Sequence, residues 1–131
     1  MARTLLPFII GADIEEIDRF RLDEKTDISF LKKVFTARER TYCFSYKDPA
    51  PHLAARFCAK EAVIKALAVM GIAHLSFNHI EILENRGKPP SVHIIGASAK
   101  DCVIQVTLSH THTTALAFVI AYRTAPVAAR I

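Results

Sequence analysis

Two acidic residues and one lysine have side chains that could bind a metal ion or move a proton. Glu61 and Lys65 lie four residues apart in the segment RFCAKEAVIKAL, residues 56–67. Asp13 lies much earlier, directly after the apolar run FIIGA. Two carboxylates, completed by water and phosphate oxygens, are typical of Mg²⁺ sites. Such a site requires the elements that carry Asp13 and Glu61 to pack against each other.

Each carboxylate also has an ordinary interpretation. At 100° per residue, Glu61 falls within the apolar arc of a helix, Lys65 lies on the border of that arc, and Lys60 projects near its opposite side. An unpaired carboxylate among apolar groups is costly, so Glu61 needs a partner, and Lys65 one turn later could be that partner. Asp13 could instead cap a following helix. The residues alone leave the ion pair, the cap and the metal site open.

The hydrophobic pattern of the first half predicts one strand followed by a helical block. The apolar run near the N-terminus predicts a strand that ends around Asp13, with short helical segments after it. Thr36 and Glu39 have the spacing of a capping box, which predicts a helix over residues 37–45. The longest helix is expected from Pro51 to about Val69, and the glycine at 71 ends it.

The second half predicts two pairs of strands. The runs HIEILE and SVHIIG flank the turn-forming segment NRGKPP, and VIQVTLS and ALAFVIAY flank HTHTT, with a short helical piece at ASAKDC between the pairs. This order predicts an α+β fold, with a mainly antiparallel sheet packed against the long helix and the shorter helices. We expect one domain over residues 1–131 and a loose tail at 124–131.

Composition narrows the class of protein. The chain of 131 residues carries a net charge of +4, which favours an anionic partner without choosing among them. It has no apolar run of eighteen residues, and four acidic residues lie among its first twenty, so we expect a cytoplasmic protein with no membrane partner. Cys43, Cys58 and Cys102 are far apart and odd in number, which predicts reduced, buried thiols.

Five motifs in order resemble those of the 4′-phosphopantetheinyl transferase family. The first is G-x-D-I-x-x-I-x-R, here residues 11–19, and the second is F-x-x-K-E-A-x-x-K-A-L, here residues 57–67. FTARER before the long helix, GKP in the first hairpin and LSHT near the end of a late strand also match. Any one of these motifs is weak evidence, whereas their shared order in one small chain is specific. The resemblance extends from about Phe8 to Tyr122.

The resemblance implies a reaction and the groups that perform it. The phosphopantetheine arm of coenzyme A would be transferred to a serine of apo acyl carrier protein, which releases 3′,5′-ADP. Asp13 and Glu61 match the positions that hold Mg²⁺ in the family. A metal ion that bridges phosphates neutralises the charge that develops on the leaving oxygen. Lys65 would either neutralise the leaving group or handle a proton, and the sequence does not decide between these roles.

The resemblance also implies binding residues and a quaternary structure. The residues expected to contact coenzyme A are Arg56, Lys65, Gly87, Lys88, Pro89, Ser109, His110 and Thr111. Arg19 would meet the acidic surface of the carrier protein; Arg21 and Lys25 join it by proximity only, and a solvated surface is their ordinary interpretation. The family resemblance further implies a homotrimer with active sites between subunits.

Three competing interpretations explain less. A non-catalytic module that binds a nucleotide or nucleic acid explains the charge but not Asp13 and Glu61, and the strands lack the aromatic pattern of sheet-type RNA binders, so we expect no nucleic-acid partner. A zinc pair at His110 and His112 lacks a third ligand at recognisable spacing. A degenerate, purely structural relative fits poorly with the intact Asp13, Glu61 and Lys65.

Overall fold

The computed structural model describes residues 8–85, 87–96 and 99–124. In these ranges one strand is followed by three helices and then by four strands. The elements are β1 (Ile9–Glu16), a 3₁₀ turn (Ile17–Phe20), α1 (Ile28–Val34), α2 (Ala37–Phe44), α3 (Ala50–Val69), a second 3₁₀ turn (Phe77–His79), β2 (Ile80–Asn85), β3 (Lys88–Ile94), β4 (Cys102–His110) and β5 (Thr114–Arg123).

The five strands form one antiparallel sheet in the order β1-β5-β4-β3-β2. Helix α3 packs across one face of this sheet and contacts β1, β5, β4 and β2. The predicted α+β fold, with its long helix and both hairpins, is therefore confirmed. Within the described ranges, no helix is both long and apolar enough to cross a bilayer.

The first strand is longer than the sequence predicts. It stays paired with β5 as far as Glu16, which lies opposite Thr114, and only a single 3₁₀ turn follows. Asp13 therefore lies inside a strand, opposite Ala117, and the interpretation of Asp13 as a helix cap is wrong. Backbone pairing with a neighbouring strand is a long-range interaction, so the periodicity of residues 14–22 alone could not reveal it.

Other local expectations have mixed outcomes. The capping box is confirmed, because the Thr36 hydroxyl accepts from the Glu39 amide and the Glu39 carboxylate accepts from the Thr36 amide at 2.8 Å. The cysteines are free thiols, as expected, although Cys102 is only half-buried. The expected helical piece at ASAKDC falls partly outside the described residues, and its described part forms a turn. Of the expected tail, only Thr124 is described.

A glycine sets the spacing between the long helix and the sheet. A Cβ atom placed on Gly11 would lie 2.2 Å from the carbonyl oxygen of Ala62 in α3, a distance that no side chain can occupy. Alanines dominate the buried side of α3 and the facing strand β5, where Ala115, Ala117 and Ala121 are all buried. Small residues on both surfaces let the two backbones approach closely.

A buried ion pair joins α2 to α3. Lys60 and Glu39 are both fully buried, and the Lys60 Nζ lies 2.7 Å from Glu39 Oε1. Lys60 also donates to the carbonyl oxygens of Phe77 (2.8 Å) and Ile80, while Glu39 Oε2 accepts from the Ile82 amide at 2.7 Å. Burial lowers the pKa of Lys60, and the neighbouring Glu39 carboxylate opposes that shift. One pair of charges thereby connects two helices to the start of β2.

This pair corrects the helical-wheel interpretation of α3. The wheel placed Glu61 inside the buried arc and Lys60 near its opposite side, whereas Lys60 is fully buried and Glu61 is half-buried beside the exposed Lys65. The second packed surface, formed by α2 and β2, buries the side of α3 that carries Lys60. A wheel drawn for one helix cannot show which neighbours will cover it.

Replacing Lys60 with methionine should destabilise the protein by about 3–5 kcal/mol, because it leaves the Glu39 carboxylate buried without a counter-charge. Urea denaturation would measure the loss in the free energy of unfolding. The double variant Lys60→Met with Glu39→Gln removes both charges and should lose less. A single variant as stable as the unmodified protein would show that the pair does not hold α2 against α3.

Candidate active site

The close approach at Gly11 brings Asp13 of β1 against Lys65 of α3. The Lys65 Nζ donates to Asp13 Oδ1 at 3.1 Å and to the Ala12 carbonyl oxygen at 3.0 Å. The Asp13 side chain is 10% exposed and the Lys65 side chain is 54% exposed, so the pair lies where the interface between β1 and α3 opens to the surface. The structure thus joins two of the three residues whose side chains could bind a metal ion or move a proton, and Lys65 pairs with Asp13 rather than with Glu61.

The second oxygen of Asp13 has no protein donor. Asp13 Oδ2 is buried and makes no hydrogen bond in the described part of the chain. Glu61, one turn before Lys65, is half-buried and makes no ion pair with any described residue. An orphaned carboxylate oxygen and a second, unpaired carboxylate nearby are the hard oxygen donors that Mg²⁺ prefers. The described residues offer no cluster of three or more metal-ligating side chains, so protein groups alone would not complete a coordination shell.

A third carboxylate, Glu15, lies beside these two and was given no role by the sequence analysis. Burial, followed by the hydrogen bond and charge of Asp13, raises the pKa of Glu15 to about 7, and the charge of Glu61 adds to the effect. The period-2 alternation of β1 could have indicated that Glu15 shares the face of Asp13.

A second group of polar residues lies beside the carboxylates. In the sheet register both Glu15 and His110 face Ala115, so they flank the same position of β5 from either side. Burial lowers the pKa of His52 of α3, and the charges of Arg56 and His110 add to that shift. The His52 ring stacks on Tyr46 with ring centroids 3.7 Å apart. The end of β4 therefore places His110 next to Glu15 across β5, and the start of α3 places His52 within range of its charge.

Arg56 is more buried than a surface ligand contact would suggest. It is 2% exposed, its guanidinium lies 4.3 Å from the centre of the Tyr42 ring, and its Nη2 lies 3.4 Å from Glu84 Oε1. Its Nε is buried without a hydrogen-bond partner among the described residues. Arg56 lies in the His52 group, away from the Asp13–Lys65 pair.

The side chains of the LSHT motif, residues 108–111, are divided between the two faces of the sheet. His110 follows Val106 and Leu108 on the face that carries α3, whereas Ser109 shares the opposite face with Thr107. The Thr111 hydroxyl accepts from the Thr113 and Thr114 amides and so closes the β4–β5 turn. Within one copy of the chain, the Ser109 and His110 side chains therefore lie on opposite faces of the sheet.

The GKP turn lies at the same end of the sheet as His110. Strand β3 runs antiparallel to β4, so its first residue, Lys88, lies near the end of β4. Gly87 has a φ of 73°, which suits glycine in a turn, and Lys88 and Pro89 are exposed. The structure thus places this turn near the second polar group.

The three basic residues of the first motif region differ in their contacts. Arg19 donates to Glu15 Oε1 at 2.6 Å, next to the carboxylates. Arg21 bonds Asp18 at 2.9 Å and Asp48 at 3.0 Å, and these interactions raise its pKa. The Lys25 side chain is exposed. Of the three, only Arg19 lies against the Asp13 site.

Comparison with known protein families identifies the class of protein to which this chain belongs. The sequence matches the 4′-phosphopantetheinyl transferase superfamily over residues 9–121. That match spans most of the chain, and it includes the strand, helix and β4 residues just described. The chain belongs to this superfamily.

Individual relatives and solved structures are similar to this chain over most of its length. A holo-[acyl-carrier-protein] synthase of Thermodesulfovibrio yellowstonii is 43% identical over 112 residues, which cover 85% of this chain and 95% of that protein. The crystal structure of a holo-(acyl-carrier-protein) synthase from Bacillus anthracis, in complex with CoA (3′,5′-ADP), is similar with a TM-score of 0.69 and 29% identity, over 88% of this chain and 96% of that one. A Helicobacter pylori synthase in complex with coenzyme A has a TM-score of 0.71 and 28% identity, over 85% and 97%.

The lowered pKa of His52 predicts a pH-dependent stability. Between the folded-state pKa and the ordinary value of 6.5, the unfolded chain binds more protons, so stability is lost as the pH falls through this window. His52→Phe keeps an aromatic ring against Tyr46 and should make the fall in unfolding free energy between pH 7.5 and pH 5.5 shallower. The exposed His79, changed to Gln, is the control. An unchanged slope in His52→Phe would refute the assignment.

Proposed function

We propose that this chain transfers the 4′-phosphopantetheine group from coenzyme A to a serine of an apo acyl carrier protein and releases 3′,5′-ADP. The observation that carries the proposal is the Asp13–Lys65 contact, because it places an unsatisfied carboxylate oxygen and a cation at the opening between β1 and α3. In this reaction the serine hydroxyl attacks the phosphorus that carries the pantetheine, and the bond to the oxygen of the leaving ADP breaks.

Asp13 and Glu61 would hold a Mg²⁺ ion. The buried Oδ2 of Asp13 and the unpaired Glu61 carboxylate support this assignment, and waters and phosphate oxygens would supply the remaining ligands. When bound, the ion supplies charge neutralisation for the pyrophosphate. The rigid strand and helix that carry the two carboxylates keep them in place before the substrate arrives.

Lys65 would neutralise charge on the leaving group. Its Nζ already donates to two oxygens, those of Asp13 and Ala12, and a group held as a donor is suited to stabilise a developing oxyanion. A general base would need a free lone pair aimed at the serine hydroxyl. The donor geometry of Lys65 favours the first of the two roles that the sequence left open.

The second polar group would bind the nucleotide end of coenzyme A. His110, together with the exposed Lys88 in the turn between Gly87 and Pro89, is suited to anionic phosphate oxygens. The buried Arg56 would act there mainly through its positive field, since its guanidinium is packed against Tyr42. Thr111 would shape the turn that presents His110, because its hydroxyl is engaged by the backbone.

We further propose that the protein works as a homotrimer with its sites between subunits. The sheet face opposite α3 exposes Ile10, Ile14, Leu116 and Phe118, an apolar surface that favours burial against another copy. Ser109 lies on that same face, so it would join a nucleotide site only through a neighbouring subunit. The assembly would act in the cytoplasm, and the chain would fold as one domain.

Arg19 would meet the acidic surface of the carrier protein, with Arg21 and Lys25 at the rim. Arg19 is 65% exposed and lies one hydrogen bond from the carboxylate cluster, so a carrier docked on it would lie beside the reacting groups. Arg21 is already engaged by Asp18 and Asp48, which predicts a smaller contribution.

The proposed activity predicts a mass change. Purified protein incubated with coenzyme A, Mg²⁺ and an apo carrier protein should add one phosphopantetheine group to the carrier, observed by intact mass spectrometry. Omission of Mg²⁺ with a chelator present should abolish the addition. A folded protein that modifies none of several apo carriers would rule the proposal out.

Glu61→Gln should lower kcat/KM by at least about 100-fold, because it replaces one of the two proposed anionic ligands with a neutral amide. Binding of Mg²⁺, measured calorimetrically on the free protein, should weaken in parallel. Asp101→Asn removes one carboxylate at the far end of the sheet and should leave both quantities unchanged. Full activity in Glu61→Gln would reject the metal-ligand assignment.

Phe118→Glu should convert the trimer to monomer and reduce activity strongly, because a charge in the middle of a buried apolar face is costly. Light scattering coupled to size exclusion would measure the mass. Val69→Glu, a similarly drastic change at an exposed apolar residue at the end of α3, on the other side of the sheet, is the control. A trimeric Phe118→Glu protein, or a monomeric parent chain, would refute the proposed interface.

A further inference from the structure

Glu15 connects the carboxylate site to the arginine beside it. Its side chain is 11% exposed, its Oε1 accepts from Arg19 Nη1 at 2.6 Å, and it lies two residues after Asp13 on the same side of β1.

The position of Glu15 is set by the sheet rather than by the arginine. Glu15 is paired with Ala115 in the ladder between β1 and β5, and its side chain lies under α3. Arg19, by contrast, lies in the short 3₁₀ turn that follows the strand and is 65% exposed. An exposed arginine without an anchor has side-chain rotamer entropy to lose when it binds a partner. A buried, immobile acceptor removes much of that cost before the partner arrives.

We propose that Glu15 is a positioning residue, which holds the Arg19 guanidinium at a fixed place relative to Asp13 so that an acidic carrier protein docks with its serine at the reacting groups. The inference rests on the proposed transferase function. A guanidinium has five N–H donors, so the bond to Glu15 leaves donors for the partner's carboxylates. Glu15 itself touches neither substrate.

The role makes a selective kinetic prediction. Glu15→Ala should raise the KM for the apo carrier about 10-fold, as expected for the loss of a hydrogen bond to a charged group. The KM for coenzyme A should change less than about twofold by the same reasoning, because Arg19 lies away from the nucleotide group. Glu15→Gln keeps an oxygen acceptor for the guanidinium and should rescue most of the carrier KM. Asp101→Asn is the control for loss of one negative charge.

A double-variant cycle separates positioning from simple stabilisation of the fold. If Glu15 acts through Arg19, then Glu15→Ala added to Arg19→Ala should raise the carrier KM no further. If Glu15 only stabilises the fold, its substitution should lower the melting temperature and affect both KM values alike, with or without Arg19. Additive effects of the two substitutions, or equal rises in both KM values, would overturn the inference.

Two further outcomes have separate meanings. An inactive parent protein would refute both the transferase proposal and this inference. An active parent, combined with an unchanged carrier KM in Glu15→Ala, would refute only the role of Glu15. If Glu15→Ala fails to fold, Glu15→Asp takes its place. Its shorter side chain draws the carboxylate away from the Arg19 guanidinium, so a carrier KM equal to that of the parent would overturn the inference.

Discussion

The contact between Gly11 of β1 and Ala62 of α3 is the constraint on which the site depends. With no side chain at Gly11, the helix backbone lies directly on the strand, and any Cβ there would overlap the Ala62 carbonyl oxygen. Asp13, two residues along the same strand face, can then reach Lys65, less than one turn beyond Ala62. A larger separation of helix and sheet would leave these polar groups to water.

The opposite side of α3 is held by charge rather than by small residues. Lys60 and Glu39 are buried together, and their remaining hydrogen-bonding groups are used by the backbone around β2. Buried ion pairs often contribute little net stability over apolar packing, yet breaking one is costly. The pair therefore specifies which elements surround α3. It leaves Glu61 on the edge of the helix, where a carboxylate can face a ligand.

Local patterns predicted most of the fold because most of its elements carry local signals. The capping box marked the start of α2, Gly71 marked the end of α3, and the alternation of apolar residues marked both hairpins. The errors arose where a partner distant in sequence decided the outcome. Pairing with β5 extended β1 beyond Asp13, and packing against α2 buried Lys60.

The sequence by itself determined the family, the α+β fold and the residue types of the site, because motifs and periodicity are properties of the chain order. Only the tertiary structure decided which side chains form ion pairs. Lys65 pairs with Asp13 instead of Glu61, and Glu15 pairs with Arg19. It also placed Ser109 on the face opposite His110. Ion pairs and buried contacts depend on distances between elements, which spacing along one helix or strand cannot supply.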